Sequence, residues 1–234
     1  MSKPISRREA MAIMGAAGTA FAVGCATESP NNPSAAAAAS ATTPTTSTNA
    51  ACAVIPSETA GPYPSLVDLF RSDVREGKPG TLFTLTLKVV NAGSGCAPVP
   101  NVNVEIWHCD AVGNYSEYGT QTNATYLRGI QTTNANGEVT FTTIYPGWYQ
   151  GRATHIHVEV TINGRSVKVT QIAFPEDVTA QVYRTGVYAP GGQNPTSNAR
   201  DMVFSDGVTN ELITLSGGDA ASGFTATFQV GVAL

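Results

Sequence analysis

Two of the three histidines in this chain lie two residues apart, at His155 and His157, inside an alternating polar and apolar segment. Side chains alternate between the two faces of a β-strand, so both imidazoles are expected on one face. The apolar residues that follow, from Ile156 to Ile162, are expected on the other face. A rigid strand that presents two imidazoles is suited to holding a metal ion, although two hydrogen-bonded structural histidines would show the same pattern.

Tyrosines in glycine-containing segments near these histidines offer further ligands. Tyr115 lies in one such segment, residues 106–116, and both Tyr145 and Tyr149 lie in another, residues 145–152. A tyrosine has an ordinary pKa of about 10, so it ionises at neutral pH only when a strong cation lies against it. Two phenolates and two imidazoles suit a hard trivalent ion better than zinc or cuprous copper. This donor set therefore points to ferric iron.

Several separated segments, taken in order, resemble a known family. They are ETAGPYP at 58–64, VEIWHCDAVGNYS at 104–116 and YLRGIQTTNANGEVTFTTIYPGWYQGRATHIHVEV at 126–160. Together they resemble the intradiol ring-cleaving dioxygenases, which cut catechol-type rings between the two hydroxyls with non-haem Fe(III). The resemblance extends from about residue 58 to residue 174, with looser similarity as far as residue 206.

The resemblance implies a specific set of iron ligands. By position, the phenolates would come from Tyr115 and Tyr149, and the nitrogen ligands from His155 and His157. Tyr145 competes for the second phenolate position, but its place before Pro-Gly does not match the family's ligand. Its alternation with the residues before it is instead typical of the end of a strand.

Two further side chains match positions that act in the family's reaction. Arg152 matches the catalytic arginine, which would stabilise negative charge that develops on the substrate; the alternative is a strand-edge arginine paired with a carboxylate. Gln171 matches a glutamine beside the iron, where a neutral amide would hold iron-bound hydroxide or orient the arginine. A strand glutamine can also have no such role. His108 falls outside the ligand positions and is expected to be hydrogen-bonded near the end of a strand.

The activity implied by the resemblance is O₂-dependent intradiol cleavage of a small aromatic diol to a cis,cis-muconate-type product, as in aromatic compound catabolism. Tyr149 would leave the iron when the diol chelates it and would accept a substrate proton. Catechol and simple substituted catechols are the expected substrates; a larger aromatic or a different metal is a further possibility. The alternative class is a non-catalytic cell-surface β-sandwich binding module. The sequence contains no glycine-rich nucleotide-binding motif, so it does not predict a flavin or nicotinamide cofactor.

The elements that position these residues are predicted to be mainly β-strands. Alternation is clearest near residues 83–89, 102–106, 155–162, 167–171 and 224–232. No strand–helix–strand pattern occurs, so the sequence predicts an all-β fold, a two-sheet β-sandwich with long loops, as the resemblance also implies. Asn136-Gly137 predicts a hairpin turn, residues 67–75 a short helix, and residues 176–222 long loops that partly cover the site. Residues 58–63 are expected to line one wall of the site.

The first fifty residues predict export. Residues 1–25 read as an export signal, because Arg7 and Arg8 precede an apolar stretch; the arginine pair favours the twin-arginine route. The segment ending at Cys25 resembles a lipoprotein box, so Cys25 would carry a lipid and attach the chain to a membrane; the alternative is an ordinary cleaved signal. Residues 26–50 are predicted to be a disordered Ala/Ser/Thr/Pro linker, and residues 51–234 the catalytic domain. The expected location is periplasmic or cell-surface.

Charge and cysteine content complete these expectations. The formal net charge is −4 for the whole chain and −6 once residues 1–24 are removed. This acidic balance argues against nucleic acid as a partner, because such proteins carry basic patches. An oxidising compartment would favour one disulfide among Cys52, Cys96 and Cys109, with the connectivity left open. The sequence makes no prediction about the oligomeric state.

Overall fold

The computed structural model describes residues 53–234 of the chain. The predicted export signal (1–25), the linker (26–50) and Cys52 lie outside the described residues, as does the predicted lipid attachment at Cys25. Within the described part, no helix has both the length and the apolar character needed to span a membrane.

The described elements are nine strands, one short α-helix and three 3₁₀ turns. The strands are β1 (Leu82–Asn91), β2 (Ala97–Pro98), β3 (Asn103–Trp107), β4 (Arg128–Thr132), β5 (Glu138–Ile144), β6 (His155–Ile162), β7 (Arg165–Ala173), β8 (Ser216–Asp219) and β9 (Gly223–Val232). The helix α1 spans Glu176–Val182, and the 3₁₀ turns span Ala92–Ser94, Gly186–Gly191 and Asn198–Arg200.

These strands form two sheets, which confirms the predicted all-β sandwich. The first sheet has the order β2-β1-β9-β8, with β5 also paired to β1, and the second has the order β4-β3-β6-β7. The second sheet is antiparallel throughout, whereas β1 and β9 of the first sheet run parallel. The second sheet carries the candidate site. The predicted site residues His155 and His157 lie on β6, and Gln171 lies on the neighbouring strand β7.

The core contains the apolar faces of the two sheets. In β1, Phe83, Leu85 and Leu87 are fully buried, and in β6 the same is true of Ile156 and Val158. These residues belong to one hydrophobic cluster, as the alternation of each strand predicts. Each fully buried side chain of this kind contributes about 1.5–3 kcal/mol of transfer free energy. Burial of one face of β6 therefore fixes the direction of its other face.

The prediction of a hairpin at Asn136-Gly137 is wrong, although a turn does occur there. The Gly137 amide donates to the Asn134 carbonyl at 2.9 Å, and Gly137 has a φ of +74°. However, β4 pairs with β3 and β5 pairs with β1, so the turn carries the chain from one sheet to the other. The Asn-Gly pair favours a turn through local backbone conformation. The strands with which β4 and β5 pair depend instead on the sheet in which each strand is buried.

The predicted helix at residues 67–75 is also wrong. This segment is irregular, and its backbone bridges both sheets: Phe70 pairs with Ile130 of β4, and Asp73 pairs with Thr142 of β5. Its backbone hydrogen bonds are therefore made to strands rather than within a helix, which satisfies the polar groups equally well. The predicted loop region 176–222 is only partly irregular, because it contains α1, two of the 3₁₀ turns and β8.

The states of Cys96 and Cys109 exclude a disulfide between these two residues. Cys109 is free and buried, whereas Cys96 is disulfide-bonded. A Cys96–Cys109 bridge is therefore absent.

Candidate metal centre

His155 and His157 lie at the start of β6, on the face opposite the core, and their imidazoles converge. Both side chains are buried, with exposed fractions of 3% and 1%, and their Nε2 atoms are 3.2 Å apart. The Nδ1–H of His155 donates to the Ala153 carbonyl at 2.6 Å, which fixes its tautomer and leaves Nε2 as the lone-pair atom. Two Nε2 atoms at this distance either share a proton or face a common cation.

The His157 ring stacks on Trp107 and has Gly61 close to its edge. Trp107 lies directly opposite His157 in the β3–β6 register, and the two rings stack at 4.8 Å with an interplanar angle of 2°. A Cβ at Gly61 would lie 3.1 Å from Cε1 of His157, and Gly61 has a φ of +69°. The chain can therefore approach the edge of the imidazole only with glycine at this position.

The loops that carry the two tyrosines interlock through glycines. A Cβ at Gly113 would lie 2.4 Å from the Trp148 carbonyl oxygen, and one at Gly147 would lie 2.2 Å from the Asp110 carbonyl oxygen. The Asp110 carboxylate also accepts from the Asn114 amide at 2.9 Å, which shapes the first loop. Neither loop could approach the other with a larger residue at these glycines.

This packing brings Tyr115 and Tyr149 to the histidines. The Tyr115 hydroxyl lies 3.4 Å from Nε2 of His155, and its side chain is 4% exposed. The Tyr149 ring is half-buried, with its centroid 5.6 Å from that of Tyr115 and 5.7 Å from that of His155. The four predicted ligands therefore form one cluster.

Burial keeps all four groups neutral in the absence of a cation. It lowers the pKa of His155 to about 3 and that of His157 well below its usual value, so both imidazoles keep their lone pairs. It raises the pKa of Tyr115 well above 10, and that of Tyr149 in the same direction. Phenolates can form here only if a strong cation compensates the cost of burial. Neutral imidazoles with buried phenols are a donor set that fits ferric iron.

Arg152 lies beside this cluster in a fixed orientation. Its Nε donates to both oxygens of Asp201, at 2.9 and 3.0 Å, and Asp201 is 1% exposed. Its Nη1 lies 3.4 Å from the Tyr149 hydroxyl and 3.4 Å from Nε2 of His155. The carboxylate partner is thus buried, so Arg152 is not a surface ion pair of the strand edge.

Gln171 is the second side chain that binds the Arg152 guanidinium. Its Oε1 accepts from Nη2 of Arg152, and its Nε2 donates to the Thr59 carbonyl at 2.8 Å. Gln171 lies opposite His157 in the β6–β7 register, so both side chains lie on one face of the sheet. In this arrangement Gln171 orients the arginine and connects it to the 58–61 segment.

Tyr145, which competed for the second phenolate position, and His108, which was expected to be structural, both lie outside the cluster. Both nitrogens of His108 are engaged, Nδ1 with the Cys109 carbonyl at 2.8 Å and Nε2 with the Thr143 hydroxyl at 2.7 Å. The Tyr145 ring belongs to the hydrophobic core, with its hydroxyl 2.7 Å from that of Thr179.

Several further side chains border the four predicted ligands. Tyr63 stacks on Tyr115 at 4.7 Å, in line with the expected wall formed by residues 58–63. Tyr63, Tyr115 and Tyr118 line a pocket that opens next to the phenol rings. Asp201 and Trp107 were not recognised, because each is identified only by the side chain that it touches.

Comparisons with known proteins show which family the chain resembles. Residues 61–184 match the Dioxygenase family model. The chain is 30% identical over 152 residues to the protocatechuate 3,4-dioxygenase beta chain of Burkholderia cepacia, an alignment that covers 59% of this chain and 61% of that relative. The chain thus spans about three fifths of that relative's length.

Solved structures show the same similarity. An intradiol ring-cleavage dioxygenase from Tetranychus urticae superposes with a TM-score of 0.70 at 28% identity, covering 78% of this chain and 95% of that one. The dioxygenase domain of a dioxygenase carbohydrate-binding protein fusion from Streptomyces sp. SirexAA-E gives a TM-score of 0.58 at 28% identity, covering 77% and 100%. 3-Chlorocatechol 1,2-dioxygenase from Rhodococcus opacus 1CP shares the fold, with a TM-score of 0.54 at 22% identity and coverage of 76% and 72%.

Proposed function

Because the chain belongs to the intradiol ring-cleaving dioxygenase family, we propose that it uses Fe(III) and O₂ to cleave small catechol-type rings between their two hydroxyls. The observation that carries this proposal is the convergence of two neutral imidazoles and two phenols beside an oriented arginine. The products would be of the cis,cis-muconate type, with both atoms of O₂ incorporated.

The donor set supports a metal role for four residues. Tyr115, Tyr149, His155 and His157 would hold ferric iron, with the Nδ1–H bond of His155 to Ala153 fixing one ligand. When bound, ferric iron would orient the two diol oxygens and draw electron density from the ring. The remaining requirements of the reaction fall to the protein.

Proton transfer is assigned to Tyr149. Its side chain is only half-buried, whereas Tyr115 is enclosed, so Tyr149 has more freedom to move when a substrate enters. Its phenol oxygen would accept one proton from the diol. The nearby Nη1 of Arg152, at 3.4 Å, favours the ionised phenol before that transfer.

Charge stabilisation is assigned to Arg152. Asp201 and Gln171 fix the guanidinium on two sides, so little reorganisation is needed when negative charge develops on the substrate. The orientation of the planar guanidinium is the important property, which lysine would not reproduce.

Substrate size is inferred from the site. Only five residues separate Tyr149 from His155, so this connection is short. The pocket beside Tyr63 and Tyr118 offers aromatic walls for a flat ring. Catechol and simply substituted catechols are the proposed substrates. A non-catalytic binding module gives no account of buried phenols next to neutral imidazoles.

The test is oxygen uptake by the full chain loaded with iron. Catechol, hydroxyquinol and protocatechuate should be consumed with one O₂ per ring, and ¹⁸O₂ should label both new oxygen positions of the product. If none of the three diols is consumed, the proposed substrate class is wrong. Label in only one product oxygen would contradict intradiol dioxygenation.

Location is a separate proposal, which rests on the amino-terminal sequence alone. We propose that the protein is exported and held at a membrane by a lipid on Cys25. Cys25→Ser should move the protein from the membrane fraction to the soluble fraction. Equal membrane association of the variant would refute the anchor.

A further inference from the structure

A second group of metal-type side chains lies outside the iron centre. Each of Glu58, Asp206 and Glu211 offers one carboxylate oxygen, and these oxygens all lie within 4.8 Å of one another. Glu58 comes from a distant part of the sequence, whereas Asp206 and Glu211 lie five residues apart in one segment. The fold therefore brings two separate segments together here. Three carboxylates held together repel one another unless protons or a cation compensate.

Glu211 is the unusual member of this group. Its side chain is fully buried, and neither carboxylate oxygen has a hydrogen-bond partner among the described residues. Thr170 is close enough to lower the pKa of Glu211, but its buried hydroxyl forms no hydrogen bond of normal geometry. A buried carboxylate with no partner is costly and calls for a compensating group.

No basic side chain in residues 53–234 neutralises Glu211, although Arg152 partly offsets the rise in the pKa of Glu58 that burial and Asp206 cause. None of the ion pairs found in residues 53–234 includes any of the three carboxylates, and the neighbouring Arg152 is bound to Asp201. Burial, then repulsion from Glu58 and Asp206, raises the pKa of Glu211 to about 8. Without a cation, the group would therefore hold a proton at neutral pH.

We propose that Glu58, Asp206 and Glu211 bind a hard divalent cation, Ca²⁺, at a site separate from the iron centre. The donor set consists only of carboxylate oxygens, which suit Ca²⁺, Mg²⁺ or Mn²⁺ rather than softer metals. Ca²⁺ binds oxygens at 2.3–2.6 Å, so ligands on opposite sides of one ion can be about 5 Å apart. The carboxylate oxygens, all within 4.8 Å of one another, satisfy that limit. Mg²⁺ keeps several waters and is usually held by one or two carboxylates, so three carboxylates favour Ca²⁺.

The backbone holds two of the ligands in place. The Glu58 amide donates to the Val169 carbonyl at 2.9 Å, and the Glu211 carbonyl accepts from the Ala173 amide at 2.9 Å. Both anchors are on β7, so these two carboxylates are attached to one rigid strand. Asp206 is exposed, which leaves a route by which an ion can enter.

The cation would connect two segments that support Arg152. One contains Glu58 and, next to it, Thr59, whose carbonyl holds Gln171. The other extends from Asp201, which holds the guanidinium, to Glu211. Binding would therefore stabilise the surroundings of the arginine, without contact with the phenols or imidazoles.

The test is calcium titration of the full chain after removal of divalent cations. Isothermal titration calorimetry should show one site with a Kd between about 10⁻⁵ and 10⁻³ M, the range of many moderate-affinity sites. At a hundredfold excess over Kd, Ca²⁺ should raise the melting temperature by about 5 °C or more. Mg²⁺ should bind at least about tenfold more weakly.

Absence of a calcium effect would overturn the proposal, and the three carboxylates would then be compensated by shared protons. Tighter binding of Mg²⁺ than of Ca²⁺ would contradict the calcium assignment.

Variants locate the site. Glu211→Gln should abolish the calcium-dependent rise in melting temperature, and Asp206→Asn should weaken binding at least about tenfold. Asp68→Asn, which removes an equally exposed carboxylate elsewhere, is the matched control and should bind as the original chain does. Because Asp206 is exposed, its variant keeps the test valid even if Glu211→Gln fails to fold. Unchanged binding in Asp206→Asn would refute the site.

Calcium binding can be separated from the iron proposal. The titration requires neither substrate nor iron, and Ca²⁺ should leave the visible absorption of the iron-loaded protein unchanged. A calcium response in a protein that fails to bind iron would support this site alone. Displacement of the iron colour by Ca²⁺ would show that the ions compete for one site and would overturn the proposal.

Discussion

The three histidines of the chain occupy two environments that differ in one decisive respect. His108 and the pair formed by His155 and His157 are all buried, and burial lowers the pKa of His108 to about 4 and of His155 to about 3. Both nitrogens of His108 are used by the Cys109 carbonyl and the Thr143 hydroxyl. In the pair, the two Nε2 atoms face each other, and that of His155 lies 3.4 Å from the Tyr115 hydroxyl.

The comparison shows that burial and neutrality do not by themselves make a histidine a ligand. What distinguishes the pair is that its two Nε2 atoms converge at 3.2 Å, next to the Tyr115 hydroxyl, whereas each nitrogen of His108 has a separate hydrogen-bond partner. His108 is therefore assigned a structural role, whereas the proposed function gives the pair a metal-binding role. Each of the following variants breaks or sharpens this distinction.

The largest effect is expected from His157→Ala. Loss of one of four ligands should reduce bound iron to background and turnover below detection, because no neighbouring side chain offers a replacement imidazole. Iron analysis and oxygen uptake measure both effects, and circular dichroism checks the fold. Stoichiometric iron in this variant would remove His157 from the ligand set.

Arg152→Ala should leave iron in place but lower kcat by about 10³-fold, the upper range for loss of one oriented donor. Arg152→Lys should recover little, since it restores charge but not the orientation set by Asp201 and Gln171. Iron content and steady-state kinetics provide the measurement. Full turnover in Arg152→Ala would exclude the arginine from the reaction.

Tyr149→Phe should retain part of the iron, change the visible absorption and lower kcat by about 10²-fold, because one proton acceptor is lost. Tyr145→Phe is the matched control: it removes a hydroxyl bonded to Thr179 in the core and should cost about 1 kcal/mol of stability with no change in absorption. If the two variants have equal spectra, Tyr149 is not a ligand.

The smallest effect on iron is expected from His108→Ala. Two buried hydrogen-bond partners lose their match, so the free energy of unfolding should fall by about 2–3 kcal/mol. Iron content should stay stoichiometric. Denaturant titration and metal analysis measure the two quantities; iron loss comparable to that in His157→Ala would erase the distinction between the environments.

The strands of this fold were predictable because their alternation reflects burial of one face. The pattern of β6 predicts which residues enter the core, as with Ile156 and Val158, and β1 and β9 behave in the same way. The turn at Asn136-Gly137 was recognised, but not its passage between sheets, because a local turn signal carries no information about distant pairing. No pattern in residues 67–75 predicts that their backbone pairs with β4 and β5.

The candidate site was predictable where its residues share a short segment or a family motif. Tyr149, Arg152 and His155 lie within seven positions. Asp201 was not predictable, since it lies 49 residues from Arg152 in a segment without periodicity. The carboxylates of Glu58 and Glu211 were equally hidden, because only the folded chain brings them to one strand.

The central claim is that two phenolates and two imidazoles hold ferric iron. The most direct measurement is the visible spectrum of the iron-loaded full chain, recorded under nitrogen before and after addition of catechol and again after air is admitted. We predict a tyrosinate-to-iron charge-transfer band that moves to longer wavelength with catechol and decays in air. Protein that binds no iron, or that binds it without colour, would contradict the account.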